Sequence, residues 1–298
     1  MPDAAIGVSV GLPMERSLST LSTPRPLPGV TERTHGLLEA PRATADGSIL
    51  YSDVLGGGVY RVPAGGDREP ETVLPKRRGI GGQVTHRDGG IVVTGREVVH
   101  VDGERQRELL AIDGVAGFND VTTDSAGSVL AGALRFKPFA GEDPVPTEIW
   151  RIIGPGIAEV AAEGIDWPNG IALTPDDGAM FVSDTANGVV LVFQTGNTVG
   201  ETFATVANGA VDGLALDEEG GVWVALGDAG IARFDAQGNL DGFAEVPSAF
   251  VSSLCFGGPD RRDLFITTAD NPLDPSRGGT VFHARAEVAG VEVGPASV

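Results

Sequence analysis

The feature that most constrains the fold is a repeat with a period near 40 residues, written in the turns. Six segments share one pattern, an Asp- and Gly-rich turn followed by a short β-rich run. They are ADGSILYSDV (45–54), RDGGIVVTG (87–95), DSAGSVLAGAL (124–134), PDDGAMFVSDT (175–185), DEEGGVWVAL (217–226) and GPDRRDLFITTA (258–269). Anchored on Gly47, Gly89, Gly127, Gly178, Gly220 and Asp263, they recur at intervals of 42, 38, 51, 42 and 43 residues. A short apolar stretch precedes each turn, and a second β-rich run follows after another Gly-containing turn. Three or four short strands per unit in six units predict an all-β chain folded as a six-bladed β-propeller. A sandwich is the rival all-β fold, but it would not require so regular a period. No apolar pattern of helical period runs ten residues with caps, which argues against an α/β fold.

The 51-residue interval points to an insertion in the third unit, ALRFKPFAGEDPVPTE (133–148), read as a loop at one mouth of the channel. Residues 1–28 form an N-terminal extension expected to supply a closing strand, and 29–298 form a single propeller. With 44 glycines and 20 prolines, the chain stays below the range of disordered low-complexity sequences and fits a fold of many turns.

Charge narrows the partners. Lys+Arg total 21 against Asp+Glu 41, a net charge of -20. A phosphate-binding surface needs the opposite balance, so neither nucleic acid nor an anionic membrane is an expected partner. The N-terminus carries no basic stretch followed by an apolar one, and no apolar run reaches membrane-spanning length. A cytoplasmic protein acting on a small molecule is the simplest expectation. Composition leaves the oligomeric state open. The single cysteine, Cys255, excludes an internal disulfide and is expected to be a buried thiol. His35, His86, His100 and His283 share no metal-like spacing.

One stretch does not fit a simple alternation of strand and turn. WPNGIALTPDDGAMFVSDT (167–185) contains Asn169-Gly170, a strong hairpin signal, and five residues later the complete turn Pro175-Asp176-Asp177-Gly178. The same phase recurs elsewhere. Glu39, Asn119 and Asp212 lie eight residues before their anchors, and Asn169 lies nine before Gly178. In a propeller, equivalent positions are related by rotation about the axis. Four oxygen-bearing side chains at the start of innermost strands would therefore converge on the channel mouth. Two carboxylates and two amide oxygens make a hard donor set of the kind calcium prefers. The alternative is that Asn-Asp, Asn-Gly and Asp-Gly are ordinary turn dipeptides. At the same phase in the other two units stand Gly81 and Ser252-Ser253, read as space left for substrate or as backbone packing.

These segments resemble the SMP-30/gluconolactonase/luciferin-regenerating-enzyme family of six-bladed propellers, from about residue 35 to 294. The resemblance rests on LLEAPRATADGSILYSDVLGGGVYRV, FNDVTTDSAGSVLAGAL, WPNGIALTPDDGAMFVSDT, VDGLALDEEGGVWVAL and SSLCFGGPDRRDLFITTA. It implies a divalent-metal-dependent hydrolase, with Glu39, Asn169 and Asp212 as metal ligands. It implies that Asn119 lines the site and contacts metal or substrate. Calcium is the expected cofactor, with zinc, manganese and magnesium left open. The implied chemistry is metal-assisted opening of a lactone. Asp212 would be the reacting carboxylate, as general base or nucleophile, and Asn119 its companion in the catalytic set.

The chain departs from the sugar-lactonase pattern in two places. Gly117 stands where such relatives carry an arginine, and Lys137 falls near the place of a substrate-binding glutamate. With Phe118, Phe136, Phe139 and Trp167 expected near the mouth, the lean is towards a less polar or bulkier lactone. Those aromatics could equally pack between blades. Two other functions remain: a phosphotriester hydrolase of the diisopropylfluorophosphatase type, and a non-enzymatic propeller whose metal is structural.

Overall fold

The computed structural model describes residues 17–31, 36–206, 210–270 and 278–298. It is a six-bladed β-propeller, each blade a four-stranded antiparallel sheet. The innermost strands are Leu38–Ala43, Gln83–Thr85, Gly117–Thr123, Pro168–Leu173, Leu214–Leu216 and Phe250–Gly257. The hairpins joining each innermost strand to the second lie at the repeat anchors, five of them turn glycines and the sixth, Asp263, the first residue of the second strand of blade 6, all at one end of the molecule.

The repeated Asp marks these hairpins for a physical reason. Asp124 Oδ1 accepts from the N–H groups of Ala126 at 3.0 Å and Ser128 at 2.8 Å. Asp217 Oδ1 does the same for Glu219 at 3.0 Å and Gly221 at 2.8 Å. A carboxylate that satisfies two turn N–H groups competes successfully with continued strand, so the chain reverses there.

The core lies between blades. Blades 2 and 3 interlock through Val84, Val92 and Leu109 against Phe118, Val121 and Ile152. Blades 5 and 6 do so through Trp223 and Ile231 against Leu254, Leu264 and Ile266. A single sheet buries nothing alone, so the blades are stable only as a ring. Arg25–Pro26 closes that ring by pairing with Val281–Arg285 as the outermost strand of blade 6. Of the N-terminal extension, residues 1–16 lie outside the described residues.

The third-unit insertion runs from the end of Val129–Leu134 to the start of Thr147–Gly154. It holds the short 3₁₀ turn Pro138–Ala140 and lies at the end opposite the hairpins. Among the described residues no helix is long and apolar enough to cross a membrane.

Candidate functional site

The second signal of the 167–185 stretch is the hairpin, and Asn169-Gly170 lies within the innermost strand of blade 4. The ladder shows how. Pro168 pairs with Asp184 and Ile171 with Val182, leaving one extra residue on the inner strand at Asn169-Gly170. The same one-residue excess falls at Glu39–Arg42 in blade 1 and Phe118–Val121 in blade 3. A bulge of this kind re-aims a side chain out of the ladder. At Ala40, beside Glu39, the backbone takes φ 52, a strained value for a non-glycine residue.

At this level the inner strands are stitched to one another around the axis. Ile171 N–H donates to Asp120 Oδ2 at 3.1 Å, joining blades 3 and 4. Gly170 N–H donates to the Asp212 carbonyl at 3.2 Å, and Gly213 N–H to that of Ser252 at 2.8 Å. Ser252 Oγ donates to the Leu38 carbonyl at 2.5 Å, and Gln83 Nε2 to that of Ala40 at 3.0 Å. Gly81 fits by packing: a Cβ there would lie 2.3 Å from Asn119 Oδ1.

Glu39 and Asp212 are buried, at 8% and 6% exposure, and each feels the charge of neighbouring carboxylates. Burial raises Glu39 well above the usual carboxylate range, and the charges of Asp212 and Asp120 raise it further. Asp212 is raised by burial and then by Asp120, with the Asn169 amide pulling the other way. Its Oδ1 is buried without a hydrogen-bond partner. Asn119 Nδ2 donates to the Pro168 carbonyl at 3.0 Å, and Asn169 Nδ2 to Thr185 Oγ1 at 3.3 Å. Asn119 spends its nitrogen on Pro168 and Asn169 divides its own between Thr185 and the Asp212 carboxyl, leaving both oxygens uncommitted.

Asp120 belongs to this group although the repeat phase does not single it out. Its Oδ1 accepts from Val121 N–H at 2.7 Å, and burial pushes its carboxyl up to about 6 against the opposing charge of Arg42. The adjacent Asn119-Asp120 pair was the available signal, since both members carry oxygen. Among the described residues no three His, Cys, Asp or Glu side chains are arranged as a metal-holding group. The donors on offer are thus mixed, carboxylates with amides. Ala40, Asp120, Ile171, Leu214 and Ser253 line a cavity of about 1570 Å³ that they share with the hairpin residues; Glu39, Asn119, Asn169 and Asp212 do not line it.

Two of the predicted substrate contacts are corrected. Phe118 is 2% exposed and sits in the core of blades 2 and 3, because strand alternation turns it away from its neighbour Asn119. Phe136 is also buried and meets Trp167 edge-on, with centroids 5.2 Å apart, so it supports that ring and offers a ligand no surface. Trp167 is half-buried, and Phe139 is 60% exposed on the insertion. Lys137 is paired with Glu142 at 4.0 Å, and the Phe118 N–H beside Gly117 donates to the Gly95 carbonyl. Cys255 is buried, and burial pushes its thiol up to about 11. His86 and His100 stack on each other, and His283 pairs with Asp263. His35 lies outside the described residues.

The family model for the SMP-30/Gluconolactonase/LRE-like region matches residues 37–270. The chain belongs to this family. Within it, the chain is 30% identical over 210 residues to pentonolactonase XacC of Haloferax volcanii, covering 67% of this chain and 70% of that protein. It is 28% identical over 273 residues to 6-deoxy-6-sulfogluconolactonase of Pseudomonas putida, covering 85% and 92%. The fold matches a luciferin-regenerating enzyme at TM-score 0.80 and 18% identity, covering 93% of this chain and 99% of that one. Family membership thus joins the propeller to relatives that open sugar lactones.

Proposed function

We propose that this protein is a divalent-cation-dependent lactonase, with calcium as its ion and a lactone less polar or bulkier than a simple sugar lactone as its substrate. The observation that carries this reading is the buried, partnerless Oδ1 of Asp212, in a group where the Asp120 charge raises both Asp212 and Glu39. Buried polar atoms are almost always satisfied, so an orphan beside repelling charges marks a place for a ligand of opposite charge. The donors fit a hard cation: carboxylates from Glu39 and Asp212, and amide oxygens from Asn119 and Asn169. Histidine and thiolate have no part in the set, which favours calcium over zinc.

A bound divalent cation would supply Lewis-acid polarisation of the lactone carbonyl and stabilise the developing oxyanion. Glu39 and Asn169 would hold their oxygens in place through the bulges and cross-blade bonds described above. Asn119 would orient the substrate from the neighbouring blade. Asp212 would take the proton of the attacking water, or attack the carbonyl itself. As a nucleophile Asp212 would form an acyl anhydride with the opened lactone, so heavy oxygen on Asp212 after a single turnover in heavy-oxygen water, or a trapped anhydride, establishes that role, whereas a general base never bonds to the substrate. The half-buried Trp167 and exposed Phe139 supply apolar surface at the mouth. On the family resemblance, Gly117 would stand in the place of the arginine of sugar-lactonase relatives and Lys137 near that of their glutamate.

The pentonolactonase and sulfogluconolactonase relatives support the reaction class. The test is turnover of a panel of aldonolactones, aliphatic and aromatic lactones and phosphotriesters, before and after EDTA. Lactone opening that EDTA abolishes and calcium restores is the expected result. Turnover indifferent to EDTA overturns the cation, and preference for phosphotriesters overturns the substrate class.

A further inference from the structure

The repeat pattern does not single out Thr185, which lies just past the second strand of blade 4, Ala179–Asp184. Its N–H donates to the Trp167 carbonyl at 3.0 Å. Its hydroxyl donates to the Val211 carbonyl at 2.7 Å, on the peptide that leads into Asp212. A hydroxyl has one hydrogen to give. With that hydrogen committed to Val211, Oγ1 meets the Asn169 side chain at 3.3 Å as an acceptor only. An acceptor selects the nitrogen end of an amide, so the oxygen end of Asn169 turns away from it. The orientation follows from the hydrogen-bond network rather than from the near-identical shapes of the two amide ends.

We propose that Thr185 is a positioning residue of the candidate cation site, whose hydroxyl holds the Asn169 amide by its nitrogen and so leaves its oxygen free for a cation. The proposal rests on the cation-dependent reading above. Asn119 is held differently, by the Pro168 backbone carbonyl, which no substitution removes. Asn169 relies on side chains, the Thr185 hydroxyl and the Asp212 carboxyl; once Asp212 turns its oxygens to a cation, Thr185 is the partner left to hold the amide nitrogen, and that makes the orientation open to mutation. Without the hydroxyl, the reversed amide would present two N–H groups where a cation needs a lone pair. Partners of metal-binding side chains are typically worth 10–100-fold in affinity.

Calcium titration calorimetry on the full chain tests this. Thr185→Val, nearly isosteric, should weaken calcium binding by about tenfold or more. Thr185→Ser, which restores the hydroxyl, should stay within about twofold of wild type, the scatter of independent substitutions. The decisive arm uses Asn169→Asp, whose two side-chain oxygens have no wrong way round. In that background Thr185→Val should change affinity by no more than about twofold. Melting curves without calcium report folding, and if Thr185→Val does not fold, Thr185→Ala replaces it in both backgrounds.

Wild-type affinity in Thr185→Val overturns this proposal and leaves the cation-dependent reading intact. An equal loss in both backgrounds also overturns it, because the hydroxyl then acts through the Val211–Asp212 backbone. A wild-type chain that binds none of calcium, magnesium, manganese or zinc brings down both.

Discussion

Asp212 and Asp217 flank the same inner strand of blade 5, Leu214–Leu216, and both are buried, at 6% and 2% exposure. Their surroundings are opposite. Asp217 is saturated: besides two turn N–H groups on Oδ1, its Oδ2 accepts from Trp223 Nε1 and Arg233 Nε, each at 2.7 Å. Asp212 has a buried oxygen with no partner, and the charge that acts on it is that of another carboxylate, Asp120. Burial alone therefore says little about role. A carboxylate whose lone pairs are all used holds the fold together, whereas one left unsatisfied among like charges is costly until a ligand arrives.

The largest effect should come from the unsatisfied member. Asp212→Asn should reduce kcat/KM by about 10³-fold, because it removes a proposed ligand and the reacting group together. The same change removes one of several repelling charges, so cation-free stability in urea should be unchanged or higher. Loss of stability together with activity would mean that Asp212 is structural, and the contrast with Asp217 would collapse.

Asp217→Ala should behave in reverse. It strands Arg233 in a site where its side chain is only 10% exposed, and leaves Trp223 Nε1 unpaired. Breaking such a buried pair costs about 3–5 kcal/mol. Asp241 and Glu219 still face the guanidinium, which favours the lower end. Urea unfolding measures the loss, while kcat of the folded fraction should stay near wild type. A cost no larger than that of a surface substitution would refute the structural role.

Calcium then separates the two variants by linkage. At 100 times its Kd, a ligand bound only by the folded state adds about 2.7 kcal/mol. Melting curves should show that gain in wild type and in Asp217→Ala, and little or none in Asp212→Asn. A gain in all three would move the cation elsewhere.

The fold behind this contrast was legible in the sequence. The period near 40 residues reflects one blade, and Gly178 and Gly220 mark hairpins because Asp turns repeat where strands reverse. The shared phase of Glu39, Asn119, Asn169 and Asp212 reflects rotation about the axis. What the pattern could not carry was direction and distance. Phe118 looked like a mouth residue because it adjoins Asn119, yet alternation sends neighbours to opposite faces, and here that face is the core of blades 2 and 3. Bulges at three of the four positions add a residue that no apolar alternation announces. Asp120 escapes a pattern that takes one residue per repeat, and Thr185 escapes it because it reaches the site from the end of another strand.

The smallest effects should come from two glycines that guard the two carboxylate settings. A Cβ on Gly81 would lie 2.3 Å from Asn119 Oδ1, and one on Gly221 would lie 2.4 Å from Asp217 Oδ2 and 2.6 Å from an Arg233 nitrogen. Neither glycine requires a left-handed backbone, so substitution by alanine acts through space alone. Gly221→Ala must push apart the Asp217–Arg233 pair and should cost about 1–3 kcal/mol, the usual range for overpacking, with calcium affinity unchanged. Gly81→Ala must displace the Asn119 amide and should weaken calcium binding by about tenfold. Its stability cost should be no greater than that of Gly221→Ala. Urea unfolding and calcium titration on the same preparations give both numbers for both variants. If Gly81→Ala lowers stability but leaves calcium affinity at the wild-type value, Asn119 is not among the donors, and three residues rather than four face the cation.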